Sequence, residues 1–272
     1  MTTIGRGGVR PPFTYYGGKT SLAPTIARLL PTHKTYVEPF FGSGAVLFAK
    51  APSVHEVVND LDGAVVAFWR CLRDRLPELE RACALTPYAR DEWAAAELAA
   101  DVEDLERARR FWVKVSQSFG HSVTAGYAYA IGQNTSRVQS VLSGLGRFAL
   151  AADRLSAVAV ENTDALRLVG RFDAPDVLFY IDPPYDMGVR VSSGDYRHEM
   201  DEADHEVMAE RLVRSSAAVI VSGYGGSQCD SLYADWHRYE IDAVHADRTE
   251  VLWSNRPLAA AVPHPSLFSR HV

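Results

Sequence analysis

The sequence lacks the features that mark membrane proteins, disulfide-bonded secreted domains and metal sites. No apolar stretch approaches the ~20 residues that a membrane-spanning helix needs. Residues 1–12 hold glycines and arginines but no apolar signal core, and we interpret them as a flexible leader. The three cysteines, Cys71, Cys83 and Cys229, show no CxxC spacing, which favours small buried thiols in a reducing compartment. We therefore expect a cytoplasmic protein that binds neither a metal nor a membrane.

The chain also lacks an excess of positive charge. Its net charge of −6 argues against a generally basic nucleic-acid binder. The charge is uneven, however, because residues 107–156 carry seven basic residues and one acidic residue, a local +6 that leaves −12 elsewhere. The basic residues are Arg107, Arg109, Arg110, Lys114, Arg137, Arg147 and Arg154. A DNA contact surface confined to one domain would explain this segment, and so would a solvated helical face without a specific partner.

The order of sequence patterns indicates an α/β sheet that is interrupted by a helical segment. With 272 residues, 47% of them hydrophobic, the chain can bury one large core and a smaller appended domain. Residues 36–74 form a strand, glycine turn, helix and strand unit, which predicts parallel pairing. Helical spacing dominates residues 76–110 and 138–155, and strand patterns return at 157–160, 177–181 and 217–221. Residues 239–242 and 249–253 predict a final hairpin with one antiparallel strand.

One tetrapeptide carries the clearest chemistry. Asp182-Pro183-Pro184-Tyr185 follows the apolar run Val177–Ile181, which predicts a buried parallel strand that the prolines end. Ligands of open α/β sheets bind at this carboxyl edge of the strands. A carboxylate, an unpaired proline carbonyl and an aromatic face suit the methylation of an exocyclic amino group on a flipped-out base. The alternative is an acidic residue that starts an ordinary Pro-Pro turn.

Three further motifs suit a bound nucleoside. The glycine turn Phe40–Gly44 lets the backbone approach a ligand, and Asp60 ends the next strand, where such folds bind a ribose. A tight turn with a helix cap would also explain both. The chain has no GxGxxG motif at this turn, which disfavours an oxidoreductase. Tyr15–Lys19 predicts a backbone that passes close to a bound molecule, although a surface turn with a solvated lysine fits equally well.

Together these motifs resemble the Dam-type, or D12 class, adenine-specific DNA methyltransferases. The resemblance runs from Tyr15 to about Asn255 and rests on Tyr15–Lys19, Tyr36–Gly44, Val58–Asp60, Asn162–Asp164 and Asp182–Tyr185. It implies an α/β fold with a Rossmann-like, mostly parallel sheet and S-adenosyl-L-methionine (AdoMet) at the carboxyl edge. It also implies a helical domain that reads DNA and is inserted at residues 75–155, between the catalytic parts 13–74 and 156–272.

The resemblance assigns roles to individual residues. Tyr15 and Lys19 would border the AdoMet site, and Glu38 to Gly44 would line its methionine side. The residues of that segment that we assign to the cofactor are Glu38, Phe40, Gly42 and Gly44. Asp60 would hold the ribose, Asp164 would face the cofactor adenine, and Asp182 would lie between cofactor and target base. Asp182, Pro183, Pro184 and Tyr185 form the predicted catalytic set, and the predicted DNA contacts are Lys114, Tyr127, Arg137 and Arg147.

The expected substrate is adenine N6 in double-stranded DNA, with the protein acting as a monomer. Transfer to cytosine N4 is an alternative, which the aspartate at the first position of the tetrapeptide disfavours. RNA adenine and a protein glutamine amide are more remote substrates. A catalytically inactive DNA-binding protein on the same fold is a further alternative. The presence of Asp182, Tyr185, Gly42 and Gly44 argues against it, because a decayed site would have lost some of them.

Overall fold

The structure, a computed structural model, describes residues 8–99, 101–129, 136–185, 197–241 and 249–258. These residues include one seven-stranded sheet with the strand order β3-β2-β1-β4-β5-β7-β6. The strands are β1 (Thr35–Glu38), β2 (His55–Asn59), β3 (Ala159–Glu161), β4 (Val177–Ile181), β5 (Ala218–Tyr224), β6 (His237–Ile241) and β7 (Glu250–Ser254). Strands β1 to β5 pair in parallel, and β7 runs antiparallel between β5 and β6. The predicted mostly parallel α/β sheet is confirmed.

The direction of winding reverses between β1 and β4. From β1 the sheet continues to β2 and β3 on one side, and from β4 it continues to β5 on the other. Such a reversal opens a crevice at the carboxyl ends of the two central strands. Here those ends carry Glu38 and, directly after β4, Asp182.

Helices cover both faces of the sheet. They are α1 (Ala23–Leu29), α2 (Ala45–Ala49), α3 (Gly63–Asp74), α4 (Leu76–Ala84), α5 (Arg90–Ala95), α6 (Asp104–Gln117), α7 (Ser136–Leu145), α8 (Phe148–Leu155), α9 (Ala165–Phe172), α10 (Glu202–Val213) and α11 (Cys229–Leu232), with a 3-10 turn at Phe119–His121. No helix of the described ranges has the length and apolar character needed to cross a bilayer. All three cysteines are buried thiols.

Alternate residues of each strand contribute to two cores, as the two-residue period of a strand requires. Tyr36 belongs to the core under α1 to α3, and Val37 belongs to the core under α9 and α10. Helices of the segment 75–155 join the first core, where Phe111 and Phe148 pack against Phe68 of α3. This segment is therefore helical and packs directly on the sheet domain, and its predicted boundaries stay a prediction.

The single helix predicted over residues 138–155 is wrong, because the structure has two helices there. They are separated at Gly146 and Arg147, and the Arg147 guanidinium donates to the carbonyls of Pro11 and Pro12. At Gly144 a Cβ atom would lie 2.5 Å from the Pro12 carbonyl oxygen, so this close approach needs glycine. Residues 8–12 of the predicted leader thus lie against the body of the protein, and residues 1–7 lie outside the described residues.

Candidate active site

A cavity of about 300 Å³ opens at the reversal point between β1 and β4. The predicted site residues that line it are Tyr15, Lys19, Glu38, Phe40, Gly42, Asp60, Asp164, Asp182 and Pro184. Three others, Gly44, Pro183 and Tyr185, adjoin these residues in the chain. The structure therefore brings the loop of residues 15–19, the glycine turn and the tetrapeptide to one place.

Asp182 is held by one of its two carboxylate oxygens. Lys19 Nζ lies 3.0 Å from Oδ1, and the Tyr185 hydroxyl donates to the same Oδ1 at 3.0 Å. Within the described ranges no residue donates a hydrogen bond to Oδ2. The side chain is 18% exposed, so it is accessible from the cavity. Asp182 thus has one anchored oxygen and a second one that a ligand can use.

Lys19 is a buried ammonium group, and its side chain is only 6% exposed. It donates to the Gly17 carbonyl at 2.9 Å and lies 3.7 Å from Glu250 Oε1, in addition to its contact with Asp182. Burial by itself would lower the pKa of Lys19, but the negative charges of Asp182 and Glu250 outweigh it, so the pKa is raised. Lys19 is therefore a permanent cation that faces two carboxylates.

The carbonyls of the two prolines in the tetrapeptide differ in their hydrogen bonding. The Pro184 carbonyl lies 3.1 Å from Nε2 of His205, a buried residue on α10. No described residue donates to the Pro183 carbonyl. Helix α10 therefore holds the tetrapeptide through Pro184. The Pro183 carbonyl, next to Asp182 in the chain, remains without a described donor.

Tyr185 is anchored by its hydroxyl, whose single proton is shared between Glu250 Oε1 at 2.8 Å and Asp182 Oδ1 at 3.0 Å. Burial raises the pKa of Tyr185 well above its ordinary value, so the hydroxyl remains a donor. Lys19 Nζ lies 4.5 Å from the centroid of the ring on one face, and Tyr224 meets the ring edge-on at 4.8 Å. The predicted stacking of a base on Tyr185 would therefore use the face opposite Lys19.

The glycine turn has the backbone that only glycine adopts readily. Gly42 and Gly44 have φ of 46° and 67°, and a Cβ on Gly44 would lie 2.5 Å from the Phe41 ring. The Gly42 amide donates to Asp60 Oδ2 at 2.9 Å, and its carbonyl accepts from Trp69 Nε1 at 2.9 Å. The turn is thus tied to the end of β2, and its bare backbone faces the cavity.

Acidic groups surround the cavity on the β1 and β2 side. Burial raises the pKa of Glu38 to about 8, although the hydrogen bond from Tyr36 opposes this shift. Burial also raises the pKa of Asp60 to about 7, against the hydrogen bond from the Gly42 amide. Asp62, a cavity residue that the sequence reasoning missed, has a buried Oδ2 without a hydrogen-bond partner among the described residues.

The donor set around this cavity fits a nucleoside that carries a positive charge. The orphaned Oδ2 of Asp62 and the neighbouring Asp60 offer acceptors for ribose hydroxyl groups. Asp182 offers negative charge to a cation, Glu38 offers a buried carboxyl group, and the glycine turn leaves room for a close approach. Asp164, which caps α9 by accepting from the Arg167 amide at 2.9 Å, lies at the far wall. No group of three or more metal-binding side chains occurs in the part of the chain that the structure describes.

The basic segment 107–156 is less positive at the surface than its sequence suggests. Arg107 pairs with Asp104, and Arg109 and Arg110 both pair with Glu106, acids that lie just outside the counted window. These pairs neutralise part of the patch that the sequence predicted.

Other arginines of the same segment have structural partners. Arg154 is buried and binds both carboxylate oxygens of Glu56. Arg147, a predicted DNA contact, donates hydrogen bonds to the carbonyls of Pro11 and Pro12. Arg147 as a DNA contact stays a prediction.

The remaining predicted DNA contacts belong to an aromatic and basic face of the helical segment. Lys114 Nζ lies 3.7 Å from the Trp93 ring centroid, and the Arg137 guanidinium lies 5.4 Å from that of Phe119. Arg90, which the sequence reasoning missed, covers Tyr127 and Tyr129 at 5.2 and 4.7 Å. Exposed rings and cations in such proximity are typical of surfaces that bind nucleic acid. We call this set (Arg90, Trp93, Lys114, Phe119, Tyr127, Tyr129 and Arg137) the aromatic–basic face.

Comparison with known proteins gives a family match over the first part of the chain. Residues 15–108 match the family model of the D12 class N6 adenine-specific DNA methyltransferases. This match confirms the predicted resemblance over the part of the chain that holds the Tyr15–Lys19 loop, the glycine turn and Asp60. The tetrapeptide at Asp182 lies outside the matched range.

The chain is also similar to a curated relative and to solved structures. The type II methyltransferase M1.LlaDCHI of Lactococcus lactis subsp. cremoris is 37% identical over 70 residues, which are 25% of this chain. The chain spans about a quarter (24%) of the length of that relative. One similar structure is the putative methyltransferase yhhF from Escherichia coli, with 13% identity, a TM-score of 0.35 and coverage of 87% of this chain and 80% of that chain. Another is the rRNA methyltransferase aviRa from Streptomyces viridochromogenes, with 14% identity, a TM-score of 0.36 and coverage of 94% of this chain and 91% of that chain.

Proposed function

We propose that this protein transfers a methyl group from AdoMet to N6 of an adenine in DNA. The observation that carries the proposal is the state of Asp182 at the reversal point of the sheet. Its Oδ1 is anchored by Lys19 and Tyr185, while Oδ2 and the adjacent Pro183 carbonyl have no described donor. Asp182 lines the cavity, and the carbonyl of the next residue, Pro183, would supply the second acceptor for the two hydrogens of an exocyclic amine.

These two acceptors would raise the low nucleophilicity of the adenine amine. The lone pair of an adenine N6 is delocalised into the ring, which makes the nitrogen a poor nucleophile. Hydrogen bonds from N6 to Asp182 and to the Pro183 carbonyl favour a tetrahedral nitrogen with a localised lone pair. They also stabilise the positive charge that develops on N6, and each contact contributes roughly 3 kcal/mol by analogy with oxyanion-hole donors.

The cavity residues that follow β1 and β2 would supply the cofactor contacts. AdoMet, when bound, provides a methyl group that its sulfonium already activates. Asp60 and Asp62 would hold the ribose hydroxyl groups, and the backbone at Gly42 would admit the cofactor close to β1. Glu38 would lie near the cofactor's positive charges. These residues would orient the donor. As the N–C bond forms, the sulfonium would leave as a neutral thioether, and the methylated nitrogen would release its proton to water.

The target base must leave the duplex, because N6 is not reachable inside it. Extrusion costs a few kcal/mol, and stacking on the face of Tyr185 opposite Lys19 would return ~1–3 kcal/mol. The aromatic–basic face supports DNA as the substrate, since Lys114 and Arg137 can meet phosphates while exposed rings such as Phe119, at 53% exposed, meet bases.

A binding experiment and a product experiment test the proposal. AdoMet should raise the thermal unfolding temperature, whereas NAD should not. Incubation of DNA with methyl-labelled AdoMet, followed by digestion to nucleosides, should give N6-methyldeoxyadenosine. A label on cytosine N4 would show that cytosine, not adenine, is the substrate. AdoMet binding without any transfer would favour an inactive DNA-binding protein.

A further inference from the structure

A second buried carboxylate lies behind the proposed catalytic one. Glu250 is the first residue of β7, and since β7 is antiparallel, its first residue lies opposite Tyr224 at the carboxyl end of β5. The strand direction therefore brings an acid from the last part of the chain to the same edge as Asp182. Glu250 is only 3% exposed and does not line the cavity.

Glu250 and Asp182 are joined by two shared partners. Glu250 Oε1 accepts from the Tyr185 hydroxyl at 2.8 Å and from the Ser222 hydroxyl at 2.6 Å, and it lies 3.7 Å from Lys19 Nζ. Lys19 and Tyr185 are also the two groups that contact Asp182 Oδ1. Every described group that anchors Asp182 is thus itself anchored by Glu250.

We propose that Glu250 is a positioning residue that holds Lys19 and Tyr185 on Oδ1 of Asp182 and so keeps Oδ2 available to the substrate amine. This inference rests on the proposed methyl transfer. Glu250 touches neither substrate nor cofactor in this account, because it lies outside the cavity wall. It acts through Lys19 and Tyr185.

The three N–H groups of Lys19 explain why a second carboxylate is needed. An ammonium group has three donors and no acceptor. In the structure these donors face the Gly17 carbonyl at 2.9 Å, Asp182 Oδ1 at 3.0 Å and Glu250 Oε1 at 3.7 Å. Without the charge on Glu250, Asp182 is the carboxylate that still contacts Lys19, and the third donor can turn to its Oδ2. Lys19 would then occupy the oxygen that the amine requires.

The experiment compares Glu250→Gln with Glu240→Gln in the full-length protein. The glutamine oxygen at position 250 can still accept from the hydroxyls of Tyr185 and Ser222, but it attracts Lys19 far less. Glu240 is a matched control, since it lies on the neighbouring strand β6, is 60% exposed and pairs with Arg238 at the surface. Single-turnover methyl transfer to DNA, AdoMet affinity and DNA affinity are measured for both variants and for the wild type.

The expected result is a loss confined to the chemical step. Glu250→Gln should lower the single-turnover rate between about tenfold and a hundredfold, the size expected for a small misplacement of a reacting group. AdoMet and DNA affinities should stay within about twofold of wild type, since a ligand-contacting residue would change them. Glu240→Gln should match the wild type. A rate for Glu250→Gln equal to wild type, or a rate loss explained entirely by weaker AdoMet binding, would overturn the positioning role.

A second variant covers the case in which Glu250→Gln does not fold. Tyr185→Phe keeps the ring and removes only the hydroxyl that links Glu250 to Asp182. It should lower the single-turnover rate at least about fivefold with unchanged AdoMet affinity, and an unchanged rate would refute the link. If wild type and both variants transfer methyl groups at the same rate, the role of Glu250 is refuted and the proposed function is retained. Absence of transfer by the wild type would remove the proposed function and, with it, this inference.

Discussion

Replacing Asp182 by alanine should lower the rate of methyl transfer much more than it lowers the stability of the fold. The change removes Oδ2, the proposed acceptor for the substrate amine, and it removes Oδ1, the partner of Lys19 and Tyr185. Loss of one preorganised charge-stabilising contact costs about 3 kcal/mol in the transition state, which corresponds to a rate about 10²- to 10³-fold lower. We expect a fall of that size in the single-turnover rate.

The folded state should tolerate this change. Breaking a buried ion pair usually costs 3–5 kcal/mol because it leaves an isolated charge. Here Lys19 retains Glu250 at 3.7 Å and the Gly17 carbonyl at 2.9 Å, and Tyr185 retains its hydrogen bond to Glu250. Asp182 is also partly exposed, at 18%, so its removal opens a path for water toward the Lys19 ammonium group. The cost should therefore lie below the usual range, and AdoMet should still stabilise the variant.

The assay is single-turnover transfer of a labelled methyl group to adenine-containing DNA, run beside thermal unfolding with and without AdoMet. The reasoning holds if Asp182→Ala binds AdoMet, unfolds cooperatively and transfers methyl groups at least a hundredfold more slowly than wild type, as the lost contact requires. Equal turnover by the variant and the wild type would refute the role of Asp182.

Three further predictions concern the turn, the buried acid and the DNA surface. Gly44→Ala should destabilise the fold by about 1–3 kcal/mol, because φ is 67° and a Cβ would lie 2.5 Å from the Phe41 ring; urea unfolding that matches wild type would contradict this. Since the pKa of Glu38 is raised to about 8, the folded state holds this proton more tightly than the unfolded chain. The resulting stabilisation is fully present below about pH 4.5 and is lost as the pH rises to about 8, so stability should fall by a few kcal/mol between these two values, and Glu38→Gln should flatten that fall. Lys114→Ala and Arg137→Ala should each reduce the salt dependence of DNA binding by about one ion, and unchanged slopes would remove both from the interface.

The position of the catalytic edge could be predicted because its signals are local in the sequence. The unbroken apolar run Val177–Ile181 is observed as β4 with these same bounds, and all five residues are buried. The two prolines that follow end the strand, so Asp182 had to lie at the carboxyl edge. The glycine turn was equally readable, because the positive φ of Gly42 and Gly44 is a property of that residue type.

The support of the site could not be predicted because its partners are distant in the chain. Glu250 reaches Tyr185 only because β7 runs antiparallel beside β5, and the pattern of β7 itself reads as an ordinary buried strand. Asp62 resembles any helix N-cap, a role that it also fills by accepting from the Ala64 amide. Nothing local distinguishes such residues from structural ones.

Charge counting failed for a related reason. A window of sequence records the arginines of residues 107–156 but not the carboxylates that the fold brings to them. Glu56, on β2, takes Arg154 into the interior, and Glu106, one turn away on α6, binds Arg109 and Arg110. The surface charge available to DNA follows from those pairings.

The identity of the methylated atom tests the central claim most directly. Purified protein is incubated with double-stranded DNA and methyl-labelled AdoMet, the DNA is digested, and the labelled nucleoside is identified by chromatography and mass. We expect N6-methyldeoxyadenosine from the wild type and at least a hundredfold less from Asp182→Ala, in proportion to the lost contact. Label on N4 of deoxycytidine, or equal label from both proteins, would contradict it.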